Sequence, residues 1–272
     1  MKNILLLTDF SNNANKAINY AVTLFKDVGC NFYLLHVVKT SKYITGSLMA
    51  APATSTVFDG VIKKAEADLK GYVKLLEKLN NPLHSFFEVI DYDNLTDAVN
   101  QLIAKEDIEI VVMGTNGQTG AREKIFGSNT VQVFRNVNLP VLTIPENSTF
   151  KKLGQVLLIV ESKNYKDKLK QLSEQLSMEK IEKVAVAKLP IKEKKSEDKE
   201  MDFLSNIFPA AHLNWLDISR LGLENERNRM LTIYQFDIII LVSNKKPLVQ
   251  RIFKGSVAKN IIYNTQLPLL LL

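Results

Sequence analysis

Apolar runs of strand length alternate with amphipathic stretches from the start of this chain. KNILLLT (2–8) is a continuous apolar run. NNANKAINYAVTLFKDV (12–28) follows it, with Ala17, Ala21, Leu24 and Val28 at helical spacing. NFYLLHVV (31–38) is a second strand-like run, and a long helix is expected over 59–79, with Leu69, Val73, Leu76 and Leu79 on one stripe. HSFFEVI (84–90), IEIVVM (108–113) and PVLTIP (140–145) read as three more strands. Helices over 94–106 and 128–137 separate them, the first capped by Asn94 or Thr96. Apolar strands alternating with helices predict parallel pairing, right-handed crossovers and helices on both faces of a sheet.

The pattern then repeats. GQVLLIVES (154–162), VAVAKL (184–189), HLNWLD (212–217), FDIIILV (236–242) and LPLLLL (267–272) read as strands. Helices are expected over 164–176, over 219–232 and from 256. Gly127-Ser128 maps to Gly255-Ser256, and Leu139-Pro140 to Leu267-Pro268, both at an offset of 128; Leu5 maps to Leu157 at an offset of 152. The second copy is therefore 24 residues shorter between those points, a difference placed in the small-residue loop 43–60. Two offsets holding over several elements predict tandem units, residues 1–148 and 149–272. The fold class expected is α/β, with two tandem open five-stranded parallel sheets of Rossmann-like build. The last strand of each unit is strongly apolar, so its edge must be covered.

Composition narrows this picture. The 272 residues are 46% apolar and 24% charged, as in globular chains, and no apolar run reaches the roughly 20 residues of a membrane span. MKNILLLTDFS reads as a first strand, since its apolar run is too brief for a signal peptide. Cys30 is the single cysteine, which excludes an internal disulfide and fits a reducing, cytoplasmic location. Residues 1–148 carry 14 Lys and Arg against 15 Asp and Glu, whereas 149–272 carry 21 against 14. The basic half still does not read as a nucleic-acid binder. Its lysines alternate with acids in KEKKSEDKE (192–200), a solvated surface run, and no aromatics are interleaved for base stacking.

The candidate chemistry lies in GTNGQTGAREKIFGSNT (114–130), which leaves the fourth strand and holds four glycines. Ligands of open parallel sheets bind beyond the carboxyl ends of strands. Glycines allow φ > 0 and close approach of backbone to ligand, and the amides opening the next helix attract anions. Ser128 and Thr130 can donate hydroxyls to phosphate. The residues alone leave two readings open, a phosphate cradle or a glycine-rich turn with Ser128 as a plain helix cap. No Walker A or GxGxxG spacing is present. Asp9, ending the first strand, has as its other reading a cap of the next helix or a surface acid. Val37 is expected in the core, and His36 as a structural histidine.

The spacing Gly114-x2-Gly117-x9-Gly127-Ser128 resembles the nucleotide motif of the universal stress protein family, as do LLTDFS (6–11), LLHVV (34–38), VVMGTNG (111–117) and NLPVLTIP (138–145). The resemblance covers residues 1–145 and, more weakly, the rest. It implies that Asp9 meets the ribose or adenine region and that Val37 lines the adenine pocket through its backbone. It implies that Gly114, Gly117, Gly127, the Ser128 hydroxyl and the Asn129 amide hold the phosphates of ATP, with Mg²⁺ carried mainly by phosphate and water. Leu7 stands where many members have proline, and that neighbour shapes the adenine-side wall.

In the second copy Gly114 becomes Val242 and Gly117 becomes Lys245, Pro247 removes a loop donor, and Glu161 stands near the place of Asp9. ATP is therefore expected in the N-terminal unit alone. No catalytic residue set and no metal-ligand cluster emerges; His36, His84 and His212 have no spaced partners. At most slow ATP hydrolysis is expected. The implied role is a nucleotide-dependent stress or regulatory switch, in which nucleotide orders residues 43–60 and 114–127 and so changes the surface offered to a protein partner. The resemblance implies pairing through the fifth strand. A tandem chain can satisfy that internally, as a pseudo-dimer, and then associate as a homodimer. The rival reading is a scaffold that binds no nucleotide and serves dimerisation and partner binding.

Overall fold

A computed structural model of the chain describes residues 1–38, 51–92, 94–115, 126–150, 152–160, 164–176, 178–188, 197–216, 235–243 and 266–272. The strands are β1 (Lys2–Leu7), β2 (Cys30–Val37), β3 (His84–Asp91), β4 (Ile110–Gly114), β5 (Val141–Ile144), β6 (Gln155–Val160), β7 (Lys183–Lys188), β8 (His212–Trp215), β9 (Ile238–Val242) and β10 (Leu269–Leu271). The described helices are α1 (Asn12–Leu24), α2 (Ala51–Glu77), α3 (Leu95–Lys105), α4 (Ser128–Asn136), α5 (Tyr165–Gln175) and α6 (Glu197–Ile207). The helices expected over 219–232 and from 256 lie outside the described residues.

The strands form one ten-stranded sheet in the order β3-β2-β1-β4-β5-β10-β9-β6-β7-β8. The two five-stranded parallel sheets expected are joined into one through their fifth strands, the internal pairing open to a tandem chain. Each half is parallel within itself, and the antiparallel pair β5–β10 joins the halves edge to edge. The two apolar edges thereby cover each other. Leu142 lies opposite Leu270, its own counterpart at the offset of 128, so a local twofold relation passes through the seam. Thr143, fully buried there, donates its hydroxyl to the Leu269 carbonyl at 3.3 Å.

Register repeats between the halves. Leu5 pairs with Val111 and Leu157 with Ile239; Val112 pairs with Leu142 and Ile240 with Leu270. Both sequence offsets therefore reappear as pairing partners. Cys30 pairs with His84, 54 positions on, and Lys183 with His212, 29 positions on. The length difference thus falls between the second and third strands of each half, where the loop 43–60 had been placed.

Two elements differ from expectation. Residues 51–60 are helical, because α2 begins at Ala51 and not near 59. Pro52 sits in its first turn, where no backbone N–H is needed, and the alanines favour helix. Leu79 lies beyond the end of α2 and is 61% exposed, so it leaves the predicted stripe, whereas Leu69, Val73 and Leu76 are buried. The charge run 192–200 also passes into α6, whose Leu204 and Ile207, with Phe208 just beyond its end, are buried at helical spacing.

Alternate strand residues feed two core layers. Ile4, Leu6, Phe32, Leu34, Val156 and Leu158 pack beneath α1, α2, α5 and α6; Leu5, Leu7, Val111 and Met113 pack beneath α3 and α4. Asn94 caps α3 by accepting from the Asp97 amide at 3.0 Å, and the Thr96 hydroxyl donates to Asn94. Lys2 Nζ reaches the Glu174 carbonyl at 2.9 Å, and Lys180 pairs with Asp27 at 2.9 Å, so side chains also cross between the halves.

Candidate functional site

The strand order of the N-terminal half reverses between β1 and β4, the place where an open parallel sheet leaves a crevice beyond its carboxyl ends. Asp9 lies two residues past the end of β1, Val37 ends β2, Gly114 ends β4, and Gly127, Ser128 and Asn129 open α4. The sheet is parallel here, so all of them lie along the same carboxyl edge. Gly117, with Arg122 and Lys124, lies outside the described residues.

The turn after β1 is built from side-chain acceptors. The Phe10 amide donates to the Thr8 hydroxyl at 3.0 Å, the Ser11 amide to Asp9 Oδ1 at 3.0 Å, and the Ala14 amide to the Ser11 hydroxyl at 3.1 Å. Ser11 is the cap of α1, which corrects the capping alternative for Asp9. Asp9 is half-buried and held by its Asx-type turn at the carboxyl edge. Phe10 has φ 61°, uncommon for a residue with a Cβ, and its ring lies 4.5 Å from that of His36. His36 Nδ1 is 2.9 Å from the Thr8 carbonyl, so it carries the hydrogen and the residue is structural, as expected.

Val37 is half-buried and packs against the core layer of Leu5, Leu35 and Val111, in line with its expected place at the core; its neighbour Val38 is 3% exposed.

Neither of the two described loop glycines uses the left-handed region. Gly127 has φ −65° and ψ 162°, and Gly114 is not in the left-handed region either. Gly114 is required by contact: a Cβ there would stand 2.8 Å from Asn13 Cγ and 2.9 Å from Asn13 Nδ2. Gly127, not Ser128, is the N-cap of α4, and it makes no side-chain cap hydrogen bond. The first intrahelical bond runs from the Val131 amide to the Gly127 carbonyl, so the amides of Ser128, Asn129 and Thr130 precede the helical ladder. Ser128 is exposed and Asn129 half-buried. Thr130 is only 2% exposed, and its hydroxyl donates to the Thr115 carbonyl at 2.9 Å, which removes it from the set of phosphate donors.

Sequence reasoning missed Asn13, Thr115 and Phe10, all of which shape this edge. Asn13 and Thr115 are buried polar residues, 4% and 3% exposed, with Asn13 Nδ2 3.4 Å from the Thr115 hydroxyl. A polar residue in the first turn of α1, on the face that carries Ala17 and Ala21, was the available signal for Asn13. Chemically, the edge offers a carboxylate for hydroxyls and a helix start with free-facing geometry for an anion. Burial pushes the Cys30 thiol up to about 11, so it supplies no nucleophile. Among the described residues no cluster of His, Cys, Asp or Glu could hold a metal, and no helix is long and apolar enough to cross a membrane.

Comparison with known proteins follows the same geometry. The universal stress protein family pattern matches residues 1–145. A universal stress protein of Methanocaldococcus jannaschii is 25% identical over 143 residues, covering 53% of this chain and 81% of its own. A second from the same archaeon is 26% identical over 160 residues, covering 54% of this chain and 97% of its own. Among solved structures, a universal stress protein of Archaeoglobus fulgidus superposes with a TM-score of 0.66 at 16% identity, covering 99% of this chain and 95% of that one. That last likeness shows the fold along nearly the whole length.

Proposed function

The chain belongs to the universal stress protein family, and from that premise we propose that its N-terminal half binds ATP and acts as a nucleotide-dependent regulatory or stress-response protein. The observation that carries this reading is the start of α4 at Gly127 beside the end of β4, on the same edge as Asp9. Amides ahead of the helical ladder and the positive end of the helix dipole suit phosphate oxygens. Gly114, Gly117, Gly127, the Ser128 hydroxyl and the Asn129 amide make the phosphate side; Asp9 and Val37 make the ribose and base side. Mg²⁺ travels with the nucleotide, held by phosphate and water. Among the described residues no placed general base supports rapid hydrolysis.

The reading extends to organisation. Residues 1–148 and 149–272 are homologous units, of which the second has lost nucleotide binding, and the β5–β10 seam is the family's dimer contact made within one chain. A homodimer of such chains must then use another surface. The single buried cysteine fits a cytoplasmic protein.

Calorimetric titration with Mg-ATP tests the proposal. Wild type is expected to bind one equivalent, and Gly117→Lys, which places the C-terminal half's residue in the loop, to lose saturable binding. Absence of saturable binding by wild type sinks the proposal and favours the nucleotide-free scaffold. Phosphate release that scales with protein and vanishes in Asp9→Ala would instead make the protein a slow ATPase.

A further inference from the structure

The end of β4 is tied to the starts of two helices through one buried residue. Thr115 is 3% exposed. Its amide donates to the Ile144 carbonyl at 3.2 Å, and its carbonyl accepts from the Gly127 amide at 2.8 Å and the Thr130 hydroxyl at 2.9 Å. Asn13, on α1, closes the set: its Nδ2 lies 3.4 Å from the Thr115 hydroxyl, and its side chain fills the space a Cβ on Gly114 would need.

We infer that Asn13 is a positioning residue for the phosphate loop, and that residue 114 is glycine to admit it. The inference rests on the nucleotide reading above. Its mechanism is geometric: an amide on α1 and a hydroxyl on α4 hold Thr115, at the end of β4, against the start of α4. The amides of Ser128 and Asn129 are then fixed relative to β4 before an anion arrives.

A second observation supports the link to ligand binding. At the same offsets, Tyr165 stands for Asn13, Val242 for Gly114, Ser243 for Thr115 and Ala258 for Thr130. The C-terminal half keeps a buried hydroxyl at Ser243, but it has lost the amide, the glycine and the second hydroxyl of the clasp. It supports the equivalent carbonyl in another way, with Lys168 Nζ donating to the Ser243 carbonyl at 2.7 Å. A clasp needed only to fold this sheet would have been kept in both halves.

The test uses the full chain with Mg-ATP as probe. Gly114→Ala is expected to weaken binding about tenfold or more, because its Cβ displaces Asn13, and Asn13→Ala about three- to tenfold. The double variant should bind like Asn13→Ala alone, since the clash has been removed. If it binds as weakly as the product of the two single losses, Asn13 is not what Gly114 accommodates, and the inference falls. Amide hydrogen exchange without nucleotide gives an independent arm. Asn13→Ala should speed exchange at Thr115 and Gly127 roughly tenfold while leaving Val111 and Val112 unchanged. Unchanged exchange at Thr115 and Gly127 overturns the clasp even where wild type binds ATP. Failure of wild type to bind ATP overturns the function, while exchange still decides the clasp. Should Gly114→Ala not fold, Thr115→Val removes the acceptor at constant shape and must reproduce the exchange seen for Asn13→Ala.

Discussion

The carboxyl ends of β4 and β9 are the same place in two copies of one strand order, and they are finished differently. At β4 the chain places glycine, a buried amide and two buried hydroxyls. At β9 it places Val242, fully buried, and carries Tyr165 at 6% exposure in the same core layer. Burial and the neighbouring Glu200 raise the Tyr165 hydroxyl well above the ordinary phenol range, so it stays neutral and part of the packing. The N-terminal half thus buries an amide and two hydroxyls at this strand end, whereas the C-terminal half buries Val242 and Tyr165 beside a single hydroxyl, that of Ser243. One fold supports both because strand pairing and the apolar layers beneath them do not depend on the residues beyond the strand ends.

The largest effect is expected at the seam that joins the halves. Leu270 is fully buried opposite Leu142, and Leu270→Ala should cost about 2–5 kcal/mol. Urea unfolding checks it, and a single transition splitting into two would show that the halves are separately cooperative. Val242→Gly tests whether the second crevice is merely filled. It should cost about 2–4 kcal/mol through cavity and backbone terms, with ATP stoichiometry remaining at one. A second equivalent bound would break the comparison, since one side chain would then be all that separates the halves.

Thr130→Val removes a buried hydroxyl from the Thr115 carbonyl and should cost about 1 kcal/mol of stability. ATP affinity should fall with it, because the loop's far end is freed. The smallest effect concerns Lys168, whose pKa burial holds below the ordinary lysine value. The unfolded chain then binds more protons between the two values. This group's contribution to stability is lowest below that alkaline window and rises as pH increases through it. Lys168→Met should flatten the rise in a series of thermal melts, and an unaltered profile would show that the ammonium is solvated.

The repeat, the parallel order and the five strands of each half were legible in the chain, since continuous apolar runs and fixed offsets are local properties. The start of α2 was not, because Ala51 to Gly60 reads as a loop by composition while alanine and a first-turn proline suit a helix equally. The glycines of the candidate loop were legible as a pattern, but the reason for Gly114 was not. Gly114 was credited with backbone freedom, and what it supplies is room for Asn13. Thr130 was credited with a ligand hydroxyl that faces inward to Thr115. Neither could be read from spacing, because both depend on residues about a hundred and about fifteen positions away.

Sequence alone determined which strands exist, how their pattern recurs and which residues carry the candidate loop's glycines. Apolar period and residue identity carry that information without regard to distant neighbours. Tertiary structure decided the register in which the fifth strands join the sheet, with Leu142 opposite Leu270, and brought Asn13 against Thr115. Those are contacts between surfaces, set by how edges and helix starts meet in space, and no local pattern in the chain encodes them.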